Sequence, residues 1–161
     1  MKNKKTAYLG LFAAVAIIFG YVESLFPFFA GIPGIKLGLA NLAVLFILET
    51  YTWKEAAVVS AVRIVVIGFL FGNMFTIIYS LAGAALSLFV MTLMKKSSGF
   101  SILGISVAGG VSHNIGQLMV AALIVENTSL LYYAPVLLIS GVVTGLLIGI
   151  LTKEVTKRIH L

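Results

Sequence analysis

The chain has 161 residues, 61% of them hydrophobic and only 10% charged, with a mean hydropathy of +1.16. That is too little charge to wet a soluble domain, and a lipid bilayer is the natural solvent for such a composition. Cysteine is absent, which excludes disulfides, zinc–thiolate sites and iron–sulfur clusters. The net charge of +6 would suit a nucleic-acid binder, but the placement of the basic residues points elsewhere.

Hydropathy and breakers together predict an all-α polytopic membrane protein, a single domain over residues 1–161, with six transmembrane helices. The first runs from Thr6 to Phe26; the "KNKK" before it imitates a signal peptide, but the apolar run is long for one and further spans follow, so it reads as a retained helix. The turn "FPFFAGIPG" precedes a second helix, Ile35–Tyr51, and the third, Trp53–Phe71, ends at "FGN". The fourth helix, Met74–Met94, ends before "KKSSG"; the fifth and sixth cover Ile102–Val125 and Leu131–Leu151.

With the N-terminus in the cytoplasm, nine basic residues fall inside, only Lys36 falls outside, and Arg63 lies within a span. This is the positive-inside pattern, so the basic balance encodes topology, with both termini cytoplasmic and a plasma membrane as the setting. Anionic lipid is the expected partner of these charges; no nucleic acid is expected.

Lipid gives helices no hydrophobic drive to associate, so small residues that let backbones approach do much of that work. Gly141, Gly145 and Gly149 form one stripe on the sixth helix, and Ser80, Gly83, Ala84 and Ser87 another on the fourth. Both read as packing within the chain. On the first helix Gly10, Ala13, Ala14, Ala16 and Gly20 are also small, and that surface is expected to dock another membrane protein.

Ionisable and amide groups at bilayer depth are the candidate functional residues. Arg63 lies about ten residues into its helix, near the midplane at about 1.5 Å per residue. His113, Asn114 and Gln117 share one face of the fifth helix. Glu23, Lys36, Asn41, Asn73, Thr76 and Tyr79 fall in the outer half, with Glu49 near the inner end. Two readings stand side by side. In one the groups satisfy each other, with Glu23 or Glu49 as counter-ion to Arg63 and amide bonds between helices. In the other they line a polar pocket that opens outward and reaches the midplane. A lone His113, with His160 in the tail, makes no histidine pair for a metal within one chain, and no metal or cofactor is expected. No P-loop, zinc-protease helix or paired carboxylates occur, so binding and translocation are expected, not catalysis.

The segments "PGIKLGLANL", "RIVVIGFLFGN", "YSLAGAALSL" and "SHNIGQL" resemble one membrane family, known both as heptaprenyl diphosphate synthase component I and as the Gx transporter family. That family is similar to the substrate-binding S components of energy-coupling-factor (ECF) vitamin transporters. The resemblance implies six helices, an outward pocket capped by "FPFFAGIPGIK", and a docking stripe of Gly10, Ala13, Ala16 and Gly20. Its partner would be a transmembrane coupling subunit driven by two ATPases. The usual alanine pair is replaced by Gly10/Ala14 and Ala16/Gly20. It further implies a flavin as cargo, held by Arg63, Lys36, Asn41, Asn73, Asn114 and Gln117 and stacked by Tyr79. The alternative is a non-catalytic membrane subunit beside polyprenyl diphosphate synthesis. A chain without aspartate lacks the aspartate-rich motifs that hold magnesium in such synthases.

Overall fold

A computed structural model describes residues 2–25, 38–97 and 99–159. They form α1 (Lys2–Leu25), α2 (Leu39–Thr50), α3 (Trp53–Phe71), α4 (Met74–Lys96), α5 (Ile102–Val125) and α6 (Ala134–Arg158), with a 3-10 segment, Thr128–Tyr133, leading into α6. The described residues contain no strand. Helices α1, α4, α5 and α6, the last together with its 3-10 lead, are long and apolar enough to cross a membrane. The 19-residue α3 carries Lys54, Glu55 and Arg63. The second helix opens at Leu39, after a left-handed Gly38, and ends at Thr50, inside its expected span of Ile35–Tyr51. Ile35 itself, the "FPFFAGIPGIK" cap and Lys36 lie outside the described residues, as does His160. Helix α1 begins four residues earlier than expected, at Lys2, and α4 and α6 run on to Lys96 and Arg158.

Helix α2 is the centre of the bundle. Ala43 through Leu48 are all buried, with Ile47 at 0% and Phe46 at 1% exposure, because "LAVLFIL" is apolar on every face and so can be surrounded. Around it pack Ala16 of α1, Val59 of α3, Leu88 and Met91 of α4, Ile105 of α5 and Ile148 of α6. The outside is apolar as well: Phe69, Leu123 and Ile139 are 66–74% exposed. A continuous apolar exterior of this kind is met by hydrocarbon, not water.

The expected packing stripes do hold helices together at backbone distance. A Cβ placed on Gly110 would lie 2.5 Å from the Gly141 carbonyl oxygen, one on Gly145 2.7 Å from the Val107 Cα, and one on Gly149 3.0 Å from the Leu103 Cα. On the other side of α5, a Cβ on Gly83 would lie 2.7 Å from the His113 carbonyl oxygen. Several hydroxyls within the spans turn back on their own helices, as Thr92 does to Leu88 O at 2.6 Å and Ser112 to Ala108 O at 2.6 Å, which satisfies them without water. The Thr152 and Thr156 hydroxyls of α6 are buried without a partner among the described residues.

Charge gathers at one end of the bundle. There Lys5 pairs with Glu55 at 2.5 Å, and Glu55 also accepts from the Thr52 backbone N–H at 3.2 Å as part of a capping box. Lys95 donates to the backbone carbonyls of Leu48 and Glu49 and sits 3.8 Å from the Glu49 carboxylate. A cation on the last carbonyls of α2 complements the helix dipole. Glu49 is thus the partner of Lys95 at this end, not of Arg63.

A polar cleft around Arg63

The opposite half of the bundle holds two adjoining cavities of about 460 and 670 Å³. They share Gly38, Asn41, Gly110, His113 and Thr144 and form one cleft between all six helices. Its outer part is bounded by Glu23, Arg63, Thr76, Ser80, Asn114 and Gln117. Its inner part descends past Ser60, Ser87 and Ser106 to Met91.

Among the described residues, Arg63 is the one lysine or arginine in the cleft wall. Its Nη2 donates to Asn41 Oδ1 at 3.4 Å, a long contact, and its Nε is buried with no hydrogen-bond partner. Glu23 faces the same cavity and acts on the guanidinium through space, but no direct ion pair joins the two among the described residues. The Glu23 Oε1 instead accepts from the Leu39 backbone N–H at 2.9 Å. Leu39 opens α2, and the residue before it, Gly38, has φ +75 and no side chain to cap the helix. The left-handed backbone there suits glycine, and Glu23 supplies the missing cap from 16 residues away.

The fifth helix brings its polar face into the cleft as its spacing predicts. His113 and Gln117 line the wall, Gln117 being 6% exposed. Asn114 also borders the cavity, but its amide nitrogen is spent on α6, donating to Leu137 O at 2.7 Å and Ser140 Oγ at 3.3 Å. For that residue, bonding between helices holds.

Other expected residues are placed differently. Asn73 is exposed and caps α4, accepting from the Thr76 N–H at 2.8 Å and the Thr76 hydroxyl at 3.0 Å; Asn immediately before a helix is a strong cap. Tyr79 turns away from Arg63 into a separate apolar groove with Phe75, Leu118 and Tyr133, and its ring centroid is 5.1 Å from that of Phe75. Gln117 is shared by the groove and the cleft.

The α1 stripe is divided. Ala16 is fully buried in the chain's own core, Ala13 packs beside it, and Gly20 meets Ile67 of α3. The helical period puts these three on one face, and their small size lets α2 and α3 approach. Gly10 has open space around it and, with Ala14, faces outward.

Sequence reasoning missed the hydroxyls at Ser60, Ser106 and Thr144 as cleft lining. A signal existed: Ser106 lies three residues before Gly109 and Thr144 three after Gly141, on the same faces as the close-packing glycines. Among the described residues no three His, Asp or Glu side chains gather as a metal site.

An all-helical, multi-pass membrane protein with a buried polar cleft is the class that fold and site define. The heptaprenyl diphosphate synthase component I family is matched over residues 12–155, nearly the whole chain, and the protein belongs to that family. Comparison with curated proteins and with solved structures gave no match.

Proposed function

We propose that this protein is the substrate-binding membrane component of a small-molecule transporter, working like an ECF S component, with a flavin (riboflavin, FMN or FAD) as cargo. The observation that carries this reading is Arg63: a guanidinium at mid-bundle, facing a cavity, with one long hydrogen bond and a buried Nε left over. Keeping an arginine at such depth costs roughly 2.5–3.5 kcal/mol on insertion scales, which a recurring ligand contact would offset. Arg63 would take the ligand's anionic or electron-rich part; Asn41, His113 and Gln117 would bond its polar edge.

In this reading the charged end, with Lys5, Lys54, Lys95 and Lys96, faces the cytoplasm of a cell whose plasma membrane holds the chain. The protein is not an enzyme; it binds and hands over cargo. The outward face of α1 around Gly10 and Ala14 would meet an ECF coupling subunit that two ATPases drive. The test is purification in mild detergent, with absorbance, fluorescence and mass spectrometry of whatever denaturation releases. A stoichiometric flavin is expected. An empty protein that also refuses riboflavin, FMN and FAD would remove flavin as cargo.

The family's description supports a second reading, a non-catalytic membrane subunit beside polyprenyl diphosphate synthesis. It expects a soluble prenyl synthase to co-purify, with no small molecule retained.

A further inference from the structure

Among the described residues, the outer cleft contains two electropositive features and one carboxylate. Arg63 contributes a full charge, and the start of α2 contributes backbone N–H groups and the positive end of a helix dipole. Glu23 lies between them in function: it holds the Leu39 N–H, faces the same cavity as Arg63, and makes no ion pair with it. The other described carboxylates are elsewhere, Glu49, Glu55 and Glu154 at or beyond the charged end and Glu126 exposed past α5. Glu23 and Arg63 line the outer cleft together, and a further cavity of about 580 Å³ is lined by the same two residues with Gly20 and Thr76.

We propose that Glu23 determines which ligands the cleft accepts, as a resident carboxylate that an anionic group of the ligand must displace from the start of α2. The proposal rests on the reading that the cleft binds cargo. An arriving phosphate or carboxylate is drawn by Arg63 and by the α2 N–H groups but repelled by Glu23. Both anions cannot share the site without loss, so Glu23 swings out and the ligand takes over the Leu39 N–H. Helix N-termini bind phosphate in this way. Glu23 stands two residues before the end of α1, where one helical turn can yield without disturbing the core. A neutral ligand leaves the carboxylate in place.

The experiment uses the full chain in detergent, wild type and Glu23→Gln, with inorganic pyrophosphate, FMN and riboflavin as probes. Glutamine keeps an acceptor for Leu39 while removing the charge. Pyrophosphate and FMN are expected to bind Glu23→Gln about tenfold more tightly than wild type, and riboflavin to stay within about twofold. Equal or weaker pyrophosphate and FMN affinity in a folded Glu23→Gln protein would overturn the proposal, as would pyrophosphate binding to neither form. Should the variant not fold, the Leu39 amide resonance of wild type decides: it shifts on pyrophosphate addition if the proposal holds, and its failure to move refutes it. If flavins bind neither form while pyrophosphate responds as described, flavin cargo falls and the Glu23 proposal stands.

Discussion

Replacing Arg63 with methionine separates a ligand contact from a packing strut, because the two roles predict opposite balances of stability and affinity. In the structure Arg63 makes one 3.4 Å hydrogen bond, to Asn41, and a contact that long contributes less than about 1 kcal/mol. Against it stands the roughly 2.5 kcal/mol or more that an arginine costs at mid-bilayer. Methionine fills similar length with a flexible apolar chain, and the lost attraction to Glu23 is set against the relieved burial of the charge. The folded protein should therefore be no less stable than wild type by more than about 1 kcal/mol. That corresponds to a Tm lowered by no more than about 2–4 °C for a chain of this size. Ligand binding should lose more. A hydrogen bond to a charged group is worth about 1.5–3 kcal/mol, so FMN affinity should fall about 10- to 150-fold. Thermal unfolding in mild detergent and FMN titration, run on the same preparation, read both quantities. A variant that melts more than about 5 °C lower yet keeps its FMN affinity would refute the reasoning and make Arg63 a structural residue.

Two glycine substitutions should have opposite signs. Gly145→Ala places a methyl 2.7 Å from the Val107 Cα, and overpacking of that kind costs about 1–3 kcal/mol; Gly10→Ala meets open space and should gain about 0.5–1 kcal/mol from helix propensity. Thermal unfolding of the pair checks this, and a Gly145→Ala protein as stable as Gly10→Ala would contradict the close α5–α6 contact. Asn114→Ala should lose about 1 kcal/mol by deleting its bonds to α6 while changing flavin affinity less than about threefold; a larger loss would return Asn114 to the ligand site. Ala14→Trp, on the outward face of α1, should leave flavin binding by the isolated chain intact but abolish co-purification with a coupling subunit, and transport unaffected by the bulky residue would move docking to another face.

The membrane class and the α-helical plan were legible because hydropathy and length are local properties. Helix α5 matches its expected range from Ile102 to Val125 at both ends, since Ser101 caps it and a turn follows Val125. The glycine stripe of α6 was legible for a similar reason: period alone places Gly141, Gly145 and Gly149 together. The site was only half legible. Spacing put His113 and Gln117 on the cleft face, but it could not say that Asn114, one position along, would be taken by the Leu137 carbonyl. Asn73 is expected in the pocket, but its place one residue before Met74 makes it the cap of α4. Tyr79 shares α4 with Ser80, yet the 100° step between neighbours sends one to the apolar groove and the other to the cleft. Glu23 reads either as a counter-ion to Arg63 or as pocket lining. It does line the cavity with Arg63, but its bond to Leu39, which ties the end of α1 to the start of α2 across 16 residues, is one that no local pattern encodes.

The two halves of the bundle are joined by different physics, and the cleft lies where they meet. Helices α4, α5 and α6 touch through glycine backbones on both sides of α5, a mode that leaves no room for rearrangement without a clash. Helices α1, α2 and α3 meet through side chains, such as Phe12 against Phe46 at 5.0 Å and Gly20 against the flexible end of Ile67. Arg63, Asn41 and Glu23 belong to the second group; His113, Gln117 and Thr144 belong to the first. A ligand bound in the cleft as proposed would bridge a rigid wall and a yielding one, and any movement it drives would fall to the outer halves of α1 to α3. Hydrogen exchange should show this directly: amides of α5 around Gly110 to Gly116 should exchange slowest and stay unchanged on ligand addition, while those around Glu23 and Leu39 to Asn41 should exchange faster and respond. Uniform protection across both groups, or a response confined to α5, would place the moving part on the glycine-packed side and reverse the assignment of the two walls.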